Sequence, residues 1–144
     1  MTEEEKFMME ALKEAQKANS LGEVPIGAII VHKNKIIARA HNYTEALNDP
    51  TAHAEMQAIT SATSQFGGKY LIDCTLYVTL EPCLMCATAT SWAQIGKIVF
   101  GAGDPKKGFS KYMPSPLHPK CVVLGGVLEN ECSSILKEFF KTKR

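Results

Sequence analysis

Apolar residues in the first twenty positions recur at helical spacing. Phe7, Met8, Ala11, Leu12, Ala15 and Ala18 share one side, with glutamates and lysines between them, which predicts an amphipathic helix over residues 3–20. Thr2 followed by Glu5 matches a capping box, and Gly22 is a natural stop. The pattern then changes to short, nearly continuous apolar runs, Val24 to Val31 and Ile36 to Ala40, joined by polar His32-Lys33-Asn34-Lys35. These predict two antiparallel strands and a hairpin turn. Helical periodicity returns from Thr51 to about Gln65, with Ala54, Ala58, Ile59 and Ala62 on one side. Asp49 or Thr51 is the expected cap, and Pro50 suits a first turn.

The second half alternates in the same way. Cys74 to Leu80 is rich in β-branched and aromatic residues and predicts a strand, Cys83 to Ala93 a helix, and Lys97 to Phe100 a further strand. A strand–helix–strand of this length implies parallel neighbours joined by a crossover. Residues 101–120 are broken by Gly101, Gly103, Pro105, Gly108, Pro114, Pro116 and Pro119 and read as a long loop. Cys121 to Gly125 predicts a fifth strand. The last helix runs from about Glu129 to Lys141, with Leu128, Cys132, Ile135, Leu136 and Phe139 as its inward stripe. This order predicts an α/β chain: a three-layer α/β/α sandwich around a five-stranded mixed sheet, with residues 1–144 as one domain.

Composition changes this picture little. Of 144 residues, 45% are apolar and 22% charged, which is ordinary for a folded chain, and the net charge of +1 says little about partners. The lysines are unevenly placed. Lys106, Lys107, Lys111 and Lys120 lie in one loop region, and Lys137, Lys141, Lys143 and Arg144 close the chain. They suit either a solvated surface or contact with nucleic acid. The polar start carries no signal peptide, and no run approaches the ~18 apolar residues that span a bilayer. Five cysteines without a secretion signal favour a reduced compartment, the cytoplasm, and metal binding over disulfides.

The chemistry lies in two short stretches. Thr51-Ala52-His53-Ala54-Glu55-Met56 contains His-x-Glu, and Glu81-Pro82-Cys83-Leu84-Met85-Cys86 contains Pro-Cys-x-x-Cys. One histidine and two cysteines form a three-ligand zinc set, which leaves one tetrahedral position open, as catalytic sites require. The two sulfurs, three apart at a helix start, face the same way, and the helix N-terminus favours thiolate. Glu55 lies where it can take a proton from activated water and pass it to a leaving nitrogen. A lone Cys-x-x-Cys also suits a redox pair. A four-ligand structural zinc would need one of Cys74, Cys121, Cys132, His32, His41 or His118, none of which has ligand spacing to a partner. The conjunction of both motifs favours the catalytic metal.

On these residues the chain resembles the zinc-dependent nucleoside and nucleobase deaminases, and among them the bacterial tRNA-specific adenosine deaminases. The likeness runs through Glu23-Val24-Pro25-Ile26-Gly27-Ala28, Asp49 to Glu55, Leu76 to Cys83, Ile95 to Ala102, and Glu131 to Arg144. It implies a cytidine deaminase-like fold, one Zn²⁺ per chain on His53, Cys83 and Cys86, and Glu55 as proton shuttle. It also implies that Asn42 contacts the target nucleoside and that the Ala54 amide bonds the base. Hydrolysis of adenosine to inosine at the wobble position of a tRNA anticodon, with release of ammonia, follows from the same resemblance. So do a homodimer and an anticodon stem-loop as partner. Residues 103–120 depart from that pattern, being shorter and richer in proline. This leaves deamination of a free base such as guanine or cytosine, or of a small nucleoside, as the alternative. A non-catalytic zinc-stabilised RNA-binding module is the remote one, against which Glu55 argues, since such a module needs no carboxylate there.

Overall fold

The structure is a computed structural model that describes residues 1–143; Arg144, grouped above with the basic C-terminus, lies outside the described residues. Helix α1 (Glu3–Ser20) starts with the expected capping box: Glu5 N–H donates to Thr2 Oγ1 at 3.1 Å, and Thr2 N–H to the Glu5 carboxylate at 2.9 Å. It buries Met8, Ala11, Leu12, Ala15 and Ala18. Strands β1 (Gly27–His32) and β2 (Lys35–His41) form the hairpin, and both turn residues, Lys33 and Asn34, have positive φ. That is the geometry of a tight turn matched to strand twist.

The first strand starts at Gly27 rather than Val24. Pro25 has no N–H to give a ladder, and Ile26 N–H is committed locally to Val24 C=O at 2.8 Å. Gly27 lies directly under α1, where a Cβ would collide with the Ala11 carbonyl and the Ala15 amide. Glycine there, opposite alanines, lets helix and sheet approach closely.

Strand β3 (Cys74–Leu80) pairs antiparallel with β1, and β4 (Lys97–Ala102) and β5 (Val122–Leu124) follow in parallel. The mixed sheet has the order β2-β1-β3-β4-β5. Strand alternation divides its apolar side chains between two cores. Ala28, Ile30, Leu76, Val78 and Ile98 pack under α2 (Ala54–Phe66), while Ile29, Val31, Tyr77 and Val99 pack under α1 and α4 (Glu129–Thr142). Each fully buried Ile, Leu or Val contributes about 1.5–3 kcal/mol. Helix α3 (Leu84–Trp92) connects β3 to β4 and packs beside α2. The α/β/α sandwich and its five-stranded mixed sheet are therefore as expected.

Two further boundaries and one burial pattern differ. Helix α2 begins at Ala54, not Thr51, because Asp49 Oδ1 captures the Thr51 backbone N–H (2.8 Å) and hydroxyl (2.7 Å) in a side-chain turn. Strand β4 continues to Ala102, and the loop after it contains a single 3₁₀ turn at Phe109–Lys111. On α4 only Cys132 and Phe139 are buried, with Ile135 and Leu136 half-buried. Among the described residues no helix is long and apolar enough to cross a membrane.

Candidate metal centre

His53 and Cys83 occupy equivalent places: each is the N-cap residue of its helix, and neither side chain caps its own helix. Freed from capping, both turn toward the same point, and Cys86, in the first turn of α3, joins them. His53 Nδ1 lies 3.6 Å from Cys83 Sγ and 3.5 Å from Cys86 Sγ. All three donor atoms fall within 4.8 Å of one another. A tetrahedral zinc with bonds of about 2.0–2.1 Å to nitrogen and 2.3 Å to sulfur separates N from S by roughly 3.6 Å. The donor set and its spacing therefore fit that ion. Among the described residues no fourth histidine, cysteine or carboxylate joins the group, and Cys74 and Cys132 are buried in the cores. The four-ligand structural reading has no fourth ligand.

The two thiols share one proton. A hydrogen bond from Cys86 and another from His53 push Cys83 down to about 4, against the opposing effect of burial. The neighbouring thiolate and burial hold the Cys86 thiol far up. His53 is raised, chiefly by its hydrogen bond to Cys83, while Lys107 opposes its protonation. At neutral pH the cluster thus presents a thiolate beside two helix N-termini, the state a metal cation takes up.

Glu55, in the first turn of α2, is 4% exposed. Burial pushes its carboxyl up to about 7, with further raising by the Cys83 thiolate and opposition from its own backbone N–H, His53 and Cys86. A carboxyl poised near neutrality can both accept and return a proton.

The structure brings Asn42 and Ala54 together. Ala54 N–H donates to Asn42 Oδ1 at 2.8 Å. Asn42, at the end of β2, thus supplies from another element the cap that His53 does not give, and its side-chain NH₂ is the group that can donate to a ligand. Asn42 is itself held by its N–H to Ile26 C=O at 3.2 Å.

Two buried carboxylates have functions that no motif announced. Glu23 accepts N–H bonds from Glu45 (3.0 Å) and Ala46 (2.8 Å), and Glu81 accepts from Asp104 and Ser110. Each grips a loop distant in sequence. Each lies within two residues of a proline, Pro25 or Pro82, the faint signal that a turn follows. The basic residues do not stay together. Lys106 and Lys107 lie on the loop that bridges Gly108 to Cys83. Lys120 lines a cavity with Ile72, Gln94 and Gly96 at the opposite ends of β3 and β4. β5 runs parallel to β4, so Lys120, just before it, lies where β4 starts, at the other end of the sheet from Lys107.

Residues 1–102 match the family profile described as the cytidine and deoxycytidylate deaminase zinc-binding region. A tRNA-specific adenosine deaminase of Bacillus subtilis is 48% identical, over 100% of this chain and 92% of its own. A structure solved in work on A-to-I editing by tRNA:A34 deaminases at the wobble position of transfer RNA superposes with a TM-score of 0.86. It is 44% identical and covers 91% of this chain and 99% of that one. A guanine deaminase structure from Bacillus subtilis is 40% identical with a TM-score of 0.66, over only 69% of this chain and 64% of that one.

Proposed function

The chain belongs to the zinc-binding cytidine and deoxycytidylate deaminase family, and from that membership we propose that it hydrolyses adenosine to inosine at the wobble position of a tRNA anticodon. The observation that carries the reaction type is the place of Glu55, a buried carboxyl held near neutrality beside a cluster that has three donors and, among the described residues, no fourth. The substrate is favoured by the extent of the likeness. The tRNA:A34 deaminase structure covers 91% of the chain at 44% identity, the guanine deaminase structure 69% at 40%.

His53 Nδ1 and the sulfurs of Cys83 and Cys86 are the groups that would hold zinc. When bound, zinc supplies Lewis acidity, which brings the pKa of water in an open position to roughly 7. Glu55 takes the proton of the attacking water and returns it to the departing nitrogen, so that water and adenosine leave as inosine and ammonia. The Asn42 NH₂, fixed through Ala54, orients the nucleoside. Residues 1–144 act as one deaminase domain.

Further features support RNA as partner. The C-terminal ends of β3 and β4 and the face of α4 enclose a cavity of about 420 Å³ lined by Lys137, Lys141 and Phe140, a pairing of cations with an aromatic surface that suits a single strand. A homodimer fits α3, whose Leu84 and Trp92 are exposed, Trp92 by 84%. All five cysteines are unpaired, in keeping with the cytoplasm.

The deciding experiment offers an anticodon stem-loop and a panel of free bases and nucleosides. We expect inosine in the RNA and ammonia in proportion; ammonia from the free bases with unmodified RNA would end the tRNA reading. Changing Lys106 and Lys107 together to Ala is expected to weaken stem-loop binding more at low salt than at high salt, flattening the salt dependence by up to about two ions. Weakening that ignores salt would assign these lysines to folding instead.

A further inference from the structure

We propose that Glu81 is a positioning residue for the reaction: its buried carboxylate shapes the 104–110 loop so that Lys107 stands beside the ligand cluster, where it receives a phosphate of the substrate. This rests on the RNA reading above. Glu81 lies between the last residue of β3 and the Pro82-Cys83 turn, and is 5% exposed. A carboxylate so placed must be matched by donors. Both of its oxygens are committed to one loop. Oε1 accepts from Asp104 N–H at 2.9 Å, and Oε2 accepts from Ser110 N–H at 2.9 Å and from the Ser110 hydroxyl. Among the described residues no lysine or arginine pairs with it.

The anchored turn is then built outward. Asp104 Oδ1 accepts from Lys106 N–H (3.2 Å) and Lys107 N–H (3.1 Å), and its carbonyl from Gly108 N–H (2.7 Å). Gly108 bridges to Cys83, and Phe109 N–H donates to Pro82 C=O at 3.0 Å. Any Cβ at Gly108 would collide with the Glu81 carboxyl, so the loop is seated on that group. Lys107 is thereby fixed between the Asp104 turn and the bridge from Gly108 to Cys83. Phe109 is the loop's one buried apolar anchor. Without Glu81, Phe109 keeps the loop attached and the Asp104 turn keeps its own bonds, but that turn loses its tie to the end of β3. This arrangement separates positioning from folding.

The test compares wild type, Glu81→Gln, Lys107→Ala and the double variant. Glutamine keeps the shape but offers one accepting oxygen instead of two. We expect Glu81→Gln to retain its zinc and a cooperative melt, while hydrogen exchange at the Asp104 and Ser110 amides speeds up at least about tenfold. KM for the stem-loop should rise about tenfold, with kcat changed less than about threefold. Lys107→Ala should raise KM similarly, and the double variant should be no worse than the weaker single. Loss of zinc, a fall in kcat at constant KM, or multiplying effects would each overturn the proposal. Wild type inactive on RNA would instead overturn the RNA reading and this proposal with it, whereas active wild type with an unchanged Glu81→Gln KM overturns this proposal alone.

Discussion

Glu55→Gln is expected to lower turnover by about a hundred- to ten-thousandfold while zinc content and fold are kept, the range that a positioned proton-transfer group contributes. Glutamine fills the same volume in the first turn of α2 but cannot carry a proton. Ammonia release and metal analysis on the same preparation check it; retained turnover would show that another group moves the proton. The substitution also has a signed effect on stability. Burial raises the carboxyl from 4.5 to about 7. Below 4.5 both folded and unfolded chains hold the proton and Glu55 costs nothing. As pH rises from 4.5 to 7 only the unfolded chain releases it, so the folded state loses up to on the order of 3 kcal/mol. In chelator-treated protein, Glu55→Gln should therefore match wild type at pH 4.5 and exceed it increasingly toward pH 7 in urea unfolding. A constant difference across that range would show that burial does not govern this group.

Cys83→Ala is expected to remove metal and activity together. Cys83 is the thiolate of the pair, pushed down to about 4, so its loss removes the charged donor and leaves only His53 and Cys86. Ligand-to-metal bonds are worth several kcal/mol each within a total of about 10–16 kcal/mol for structural zinc sites. Zinc per chain should fall well below one, and ammonia release should drop to background. Cys121→Ala, with its half-buried thiol away from the cluster, is the matched control and should keep both. Full zinc occupancy in Cys83→Ala would strike Cys83 from the ligand set.

His53, Cys83 and Cys86 are legible because metal-binding side chains are rare, and their spacing at helix starts leaves few other uses. Glu55 is legible as a position, two residues beyond His53, but its raised pKa is not, since burial depends on what packs over α2. The helix and strand periods were equally readable, and the capping box at Thr2 and Glu5 needed only residues three apart. Misplaced boundaries cluster where a side chain competes with the backbone: Asp49 delays α2, and Pro25 delays β1.

Sequence alone determined the elements and the metal-binding set, because both are encoded locally, in apolar periodicity and in side-chain chemistry. Tertiary structure decided how the groups are held. Asn42 caps a helix that starts 12 residues later, Glu81 grips amides 23 and 29 residues away, and Lys120 falls at the far end of the sheet from Lys107. The physical reason is shared by the first two. Their partners are backbone N–H groups, which every residue but proline carries, so no pattern of side chains marks which amide a folded chain will bring to a buried oxygen.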